Sequence, residues 1–111
     1  MENDTCFEGN FTKDFFLGFI KLHILHHSTK GPVYGLWFIE ELSHHDYKMS
    51  PGTLYPILHQ LEKNGYLESF KKRVAGRLRV YYEATENGKK ALEEARNKIK
   101  HLIKEVLYDE E

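Results

Sequence analysis

The stretch SPGTLYPILHQLEKNGYL, Ser50 to Leu67, restricts the possible folds more than any other part of the chain. Ser50 has the side chain of a helix N-cap, Pro51 suits the first helical position, and Asn64-Gly65 is a stop signal. Between them Leu54, Ile57, Leu58 and Leu61 stand at i, i+3, i+4 and i+7, which places four aliphatic side chains on one face. At about 100° per residue the outward arc falls to Gly52, Pro56, His59, Gln60 and Lys63, with Thr53 and Tyr55 on its flanks. Pro56 lies in the second turn, where a missing amide costs less than it would deeper in the helix.

Two further helices are expected before this one. Asn10 or Thr12 can cap a first helix with Phe11, Phe15, Phe19, Leu22 and His26 on one face and Phe16, Ile20, His23 and His27 on the next, so broad an apolar surface that burial on two sides follows. A second helix is expected from about Val33 to His45, with Gly35, Phe38, Ile39 and Leu42 inward. After Gly65 come two strand-like runs, YLESFKKRV and RLRVYYEA, separated by Ala75-Gly76. In the second run Leu78, Val80 and Tyr82 alternate with Arg77, Arg79 and Tyr81, the period of a strand with one buried face. Thr85 can cap a last helix, although Gly88 weakens its first turns. Leu92, Ala95, Ile99, Leu102 and Val106 follow at spacings of 3 and 4, widened by Ile103 and Leu107.

Charge narrows the function. The 111 residues carry 16 Lys and Arg against 17 Asp and Glu, so the total is uninformative, but Lys71, Lys72, Arg73, Arg77 and Arg79 form an acid-free group on the hairpin. The longest apolar run, Phe15 to Ile20, is far below the roughly 20 residues of a membrane helix, so no membrane partner is expected. The acidic first ten residues do not read as an export leader, and a single cysteine, Cys6, fits a reducing cytoplasm. Acidic Asp4 and Glu8 beside Cys6 favour an inert thiol over a redox switch. No phosphate loop, nucleophile elbow or paired carboxylates in an apolar setting appears, so no enzyme, catalytic residue or cofactor is expected.

Three helices followed by a basic hairpin is the element order of a winged helix-turn-helix, in which the third helix enters the major groove and the wing rides on the flanking backbone. The fold class is therefore mainly α with a small β-hairpin, a winged helix-turn-helix plus a C-terminal dimerisation helix. Residues 1–10 are expected as a flexible arm, 11–84 as the DNA-binding domain and 85–111 as the dimerisation helix. Candidate DNA-binding residues are Ser50, Gly52, Thr53, Tyr55, Pro56, His59 and Lys63 on the helix and Lys71, Lys72, Arg73, Arg77 and Arg79 on the wing. The last helix has no partner surface left in so small a domain. A second copy would bury its seam of Leu92, Ala95, Ile99, Leu102, Ile103 and Val106 together with Phe11, Phe15 and Phe16.

These residues also resemble the PadR-type transcriptional regulators, from about Gly31 to Leu92. The resemblance rests on GPVYGLWFIEEL, on SPGTLYPILHQLEKNGYL and on GRLRVYYEATENGKKAL, and Gly-Thr-Leu-Tyr-Pro followed by Leu, Leu-Glu and Asn-Gly is its most specific part. The single terminal helix is similar to the family's smaller subgroup. Ala84 stands where a larger apolar residue usually precedes the Thr, and Trp37 where a smaller or polar one is common. The resemblance implies a cytoplasmic homodimer, usually a repressor, that binds a two-fold operator in double-stranded DNA and is released by a small aromatic or cationic, drug-like effector or a stress signal.

Two other readings stand beside this one. A winged helix can serve as a protein-binding adaptor with the wing charges only keeping it soluble. A metal-responsive sensor is the other, from His23, His26 and His27 at i, i+3 and i+4 and from His44, His45 and Asp46. With no cysteine or carboxylate beside the first histidines, packed or solvated imidazoles and no metal ligand are the expectation. Trp37 lies on nearly the opposite side of its helix from Gly35, Phe38, Ile39 and Leu42, and a large aromatic should not face water without reason. It is the effector candidate, alongside a dimer contact or packing on the N-terminal segment that includes Phe7.

Overall fold

The computed structural model describes the backbone of residues 6–109 and the side chains of residues 11–109. In chain order it contains α1 (Cys6–Ser28), β1 (Val33–Tyr34), α2 (Gly35–Ser43), α3 (Pro51–Lys63), β2 (Leu67–Val74), β3 (Arg77–Ala84) and α4 (Glu86–Val106). The core gathers Ile20, Ile24 and Leu25 of α1, Phe38 and Leu42 of α2, and Leu54, Ile57, Leu58 and Leu61 of α3 over Leu67, Tyr82 and Leu92. All four aliphatics expected on the inner face of α3 are buried there, and Ile39 of α2 is packed at the edge.

Two boundaries differ from the sequence reading. α1 begins at Cys6, so Asn10 and Thr12 lie inside the helix rather than at its start, and part of the expected arm is helical. The preference of Asn or Thr for a cap over a helix interior amounts to tenths of a kcal/mol and does not stop a helix that continues on both sides. Residues 1–5 lie outside the described residues. α2 is shorter than expected because Val33 and Tyr34 leave the helical pattern to pair antiparallel with Tyr82 and Tyr81, giving a three-stranded sheet in the order β1-β3-β2. A β-branched and an aromatic residue suit that pairing, which covers the edge β3 would otherwise expose. α2 ends at Ser43, and Asp46 takes a left-handed φ of 68° while the Tyr47 amide donates back to the Leu42 carbonyl at 3.0 Å.

The β2–β3 hairpin is in register from Leu67 opposite Ala84 to Val74 opposite Arg77. Ala75 and Gly76 make a two-residue turn with φ of 51° and 78°, the positive pair that matches strand twist. Near the base Tyr82 and Ala84 are buried, but Leu78 is 57% exposed because the tip runs past the helices. Thr85 caps α4 as expected, accepting from the Gly88 amide at 3.1 Å and donating to the Gly65 carbonyl at 2.5 Å. Gly88 is present for space: a Cβ there would overlap the Tyr66 carbonyl oxygen.

Candidate nucleic-acid interface

The start of α3 is polar, small and open. Ser50 has the extended backbone of an N-cap (φ −87°, ψ 160°), but its hydroxyl meets the Thr53 hydroxyl at 3.3 Å and makes no cap bond to the backbone. Pro51 has no amide hydrogen and the Thr53 and Leu54 amides donate to the Ser50 carbonyl, so the Gly52 amide, with the partial positive charge of the helix end, is what this terminus offers an anion. Gly52, Thr53, Pro56, His59 and Lys63 are exposed along the outward arc, as the helical phase requires.

Tyr55 departs from the expectation. It is half-buried, and its ring occupies the slot left by Gly35 at the start of α2, where a Cβ would overlap the phenol. A flanking position on the helical wheel turned inward because the neighbouring helix offered a glycine. Tyr55 thus couples α3 to α2, and its ring stands 6.3 Å from that of His59.

On the wing, Lys71, Lys72, Arg73 and Arg77 are exposed. Among the described residues none of these four is within ion-pair distance of a carboxylate. Arg79 is different. Its guanidinium carbon sits 4.1 Å above the Tyr34 ring, on a run of aromatics in which Tyr81 packs edge-on to Tyr34 and stacks on Phe70. That stack of β1, β3 and β2 residues stiffens the wing base and orients one cation of the five.

The chain matches the model of the "Transcriptional regulator PadR-like family" over residues 24–94. The chain belongs to the PadR-like family of transcriptional regulators. It is 50% identical over 88 residues to transcriptional regulator Rv3488 of Mycobacterium tuberculosis, covering 79% of this chain and 82% of that one. A PadR-like transcription factor from Bacteroides fragilis superposes with a TM-score of 0.77 at 27% identity, covering 89% of this chain and 97% of the other. A PadR-like regulator from Bacillus cereus gives 0.75 at 28% identity, with coverages of 82% and 90%. The fold is thus a PadR-type winged helix, and the chemistry is that of a regulator rather than an enzyme. Among the described residues no helix is long and apolar enough to cross a membrane.

This PadR-like regulator exposes a second, apolar surface. Phe11 is 71% exposed, Phe15 and Phe16 are exposed beside it with their rings 5.8 Å apart, and Leu102, Ile103 and Val106 of distal α4 are exposed as well. Leu92 does not belong with them. It is only 5% exposed, packed in the protomer's own core, because the first turns of α4 still lie over α1. Ala95 and Ile99 are half-buried at the transition, and Ile99 lines an apolar groove of about 230 Å³ with Phe19 and Leu22 of α1.

Trp37 packs edge-on against His27 (5.0 Å between ring centroids) and Phe38 (5.7 Å), at the C-terminal end of α1. The Phe7 side chain lies outside the described residues. Trp37 also walls a cleft of about 370 Å³ with Lys30, Val33, Tyr34 and Tyr81.

The histidines form one group where the sequence shows two. His23 and His27 of α1 face His45 in the turn just past α2, with His23 and His45 rings 4.8 Å apart. Glu41 lies among them, its Oε2 3.3 Å from His45 Nε2 and 3.5 Å from His27 Nε2. The expectation that no carboxylate stands beside the α1 histidines is corrected by this contact, which only the crossing of α1 and α2 creates. Burial, joined by His45, holds the His23 imidazole below its ordinary pKa, and burial does the same to His27 against the opposing pull of Glu41.

Proposed function

We propose that this regulator is a repressor that holds a two-fold operator as a homodimer, with α3 of each protomer in the major groove and the β2–β3 wing on the flanking backbone. The observation that carries the reading is the coincidence of an open, small-residue N-terminus on α3 with an acid-free run of five cations, Lys71 to Arg79, on the wing. Thr53 and His59 would meet base edges, with Ser50, Gly52 and Pro56 allowing close approach, while Lys63, Lys71, Lys72, Arg73 and Arg77 meet phosphates. Arg79, held over Tyr34, would serve both as a phosphate contact and as a brace. Phe11, Phe15 and Phe16 of one copy with Ala95, Ile99, Leu102, Ile103 and Val106 of the other would make the dimer, setting half-sites about one 34 Å turn apart or a multiple of it.

Titration with duplex DNA at two salt concentrations tests this directly: affinity falling steeply with salt supports it, and salt-insensitive or absent binding favours a protein-binding adaptor. The cleft beside Trp37 would admit a small aromatic or drug-like effector stacked on the indole. Phenolic acids or cationic dyes should then quench Trp37 fluorescence saturably and weaken operator binding. Trp37→Ala should remove both responses while leaving unliganded DNA binding intact. Loss of dimerisation in Trp37→Ala would instead make the tryptophan a structural contact.

A further inference from the structure

Three imidazoles crowd one carboxylate where α1 crosses α2. His23 and His27 share a face of α1, their ring centroids 6.4 Å apart, and His45, in the connection between α2 and α3, lies 4.8 Å from His23. Glu41 Oε2 accepts a hydrogen bond from His45 Nε2 at 3.3 Å and stands 3.5 Å from His27 Nε2. Tyr47 closes the group, its ring edge-on to His23 at 6.1 Å and to Phe16 at 5.6 Å. These contacts tie the connection, residues 44–50, down onto α1, and the connection ends at Ser50, the N-cap of α3.

We propose that this cluster is a proton-operated latch: neutral, it holds the α2–α3 connection against α1, and protonated more than once, it lets the connection go. The charges give the reason. One proton on His45 or His27 makes an imidazolium beside the Glu41 carboxylate, a pair that is neutral overall. A second and a third proton find no such partner, because among the described residues no other carboxylate lies within ion-pair distance of these three histidines. The surroundings add cations. His26 and Lys30 adjoin His27 on the α1 side, and His44 Nδ1 draws on the other Glu41 oxygen at 4.0 Å. Arg96 of α4, 3.5 Å from His26 Nδ1, is itself paired with Glu93 at 3.5 Å.

The direction of the titration agrees with this geometry. Burial, followed by His45, holds His23 below the ordinary imidazole value of 6.5, and at His27 burial outweighs the pull of Glu41. A histidine whose pKa is lower in the folded than in the unfolded chain stabilises the fold while it is neutral. That contribution is complete above pH 6.5 and is lost as the pH falls through the folded values. The connection yields first, because His45 and Tyr47 hold it at a partly exposed edge while Leu54 and Leu58 keep α3 in the core. Acid therefore loosens the approach to the start of α3 and leaves the fold in place. The consequence for operator affinity rests on the role proposed for α3, but the latch does not.

Trp37 is the single tryptophan and packs edge-on to His27 at 5.0 Å, and an imidazolium quenches a neighbouring indole more strongly than a neutral imidazole does. Following Trp37 emission of the full chain from about pH 8 to about pH 5 therefore reports the charge on His27. The midpoint should lie below 6.5, fall further in Glu41→Gln, which loses the carboxylate's pull, and rise in His45→Gln, which loses a repelling neighbour. Nuclear Overhauser effects between the Tyr47 and Phe16 rings read the latch itself. They should fade over the same range in the wild type and persist in a His23→Gln, His45→Gln double variant, which cannot take up the unpartnered protons. His59→Gln on α3 and His101→Gln on distal α4 should leave both curves unchanged. If the double variant does not fold, the wild-type ring contacts decide alone. Contacts that persist to about pH 5 in the wild type, or fade equally in the double variant, overturn the proposal, as does a quenching midpoint at or above 6.5. Because neither readout needs DNA, the result is independent of whether α3 and the wing bind an operator.

Discussion

Replacing Arg77 by Gln isolates the part of DNA affinity that comes from wing phosphate contacts. Arg77 is exposed at the hairpin turn, opposite Val74, and supports no buried group, so its loss should leave stability unchanged. Each neutralised phosphate contributes about −0.9 to the slope of log K against log salt. A dimer loses two cations, so the slope should become less negative by about 1.8. Between 50 and 200 mM salt that difference makes the gap between wild type and variant shrink by about 12-fold, so the variant is most impaired at low salt. Fluorescence anisotropy with a labelled duplex at four salt concentrations measures it. The loss should be the same for every duplex, whereas Thr53→Ala or His59→Ala should change preference among duplexes by about 1–3 kcal/mol at a base pair. An unchanged salt slope in Arg77→Gln, or a loss confined to particular sequences, refutes this division between wing and α3.

Leu102→Asp should leave the protomer folded, since Leu102 is 55% exposed there, yet yield monomers in sedimentation by placing a charge at the proposed interface. Leu92→Ala should act on the fold instead, costing about 2–5 kcal/mol in denaturant titration, and a Leu92→Ala protein as stable as wild type contradicts its place in the core. Gly88→Ala runs against helix propensity: propensity favours Ala by about 1 kcal/mol, but forcing a methyl against the Tyr66 carbonyl costs about 1–3 kcal/mol, so thermal melting should occur several degrees lower. Ala75→Asn should raise stability by up to about 1 kcal/mol, because Asn tolerates the left-handed φ better than Ala, and a lower denaturation midpoint would count against that turn geometry.

Local grammar carried α3, the hairpin and the α4 cap. Ser50-Pro51, the spacing of Leu54, Ile57, Leu58 and Leu61, the alternation around Tyr82 and the Thr85 cap are interactions among residues within a turn or two of one another. Short-range sterics and a single hydrophobic period suffice to place them. The family was legible for the same reason, since its most specific residues lie in and around α3.

Tertiary contacts decided what depended on the neighbour across a gap. Val33 and Tyr34 fit a helix by period and became a strand because the edge of β3 lay beside them. Tyr55 turned inward because Gly35 made room, and Gly88, a weak point by propensity, is required by the close approach of the Tyr66 backbone. Leu92 and Leu102 share one stripe on α4, yet only the point at which α4 passes beyond α1 separates core from open surface. The grouping of His23, His27, Glu41 and His45 is the plainest case. A helical period places His23 and His27 on α1 and Glu41 on α2, with His45 in the turn after it, but their meeting depends on the crossing of α1 and α2, a long-range outcome of packing the whole core that no local pattern encodes.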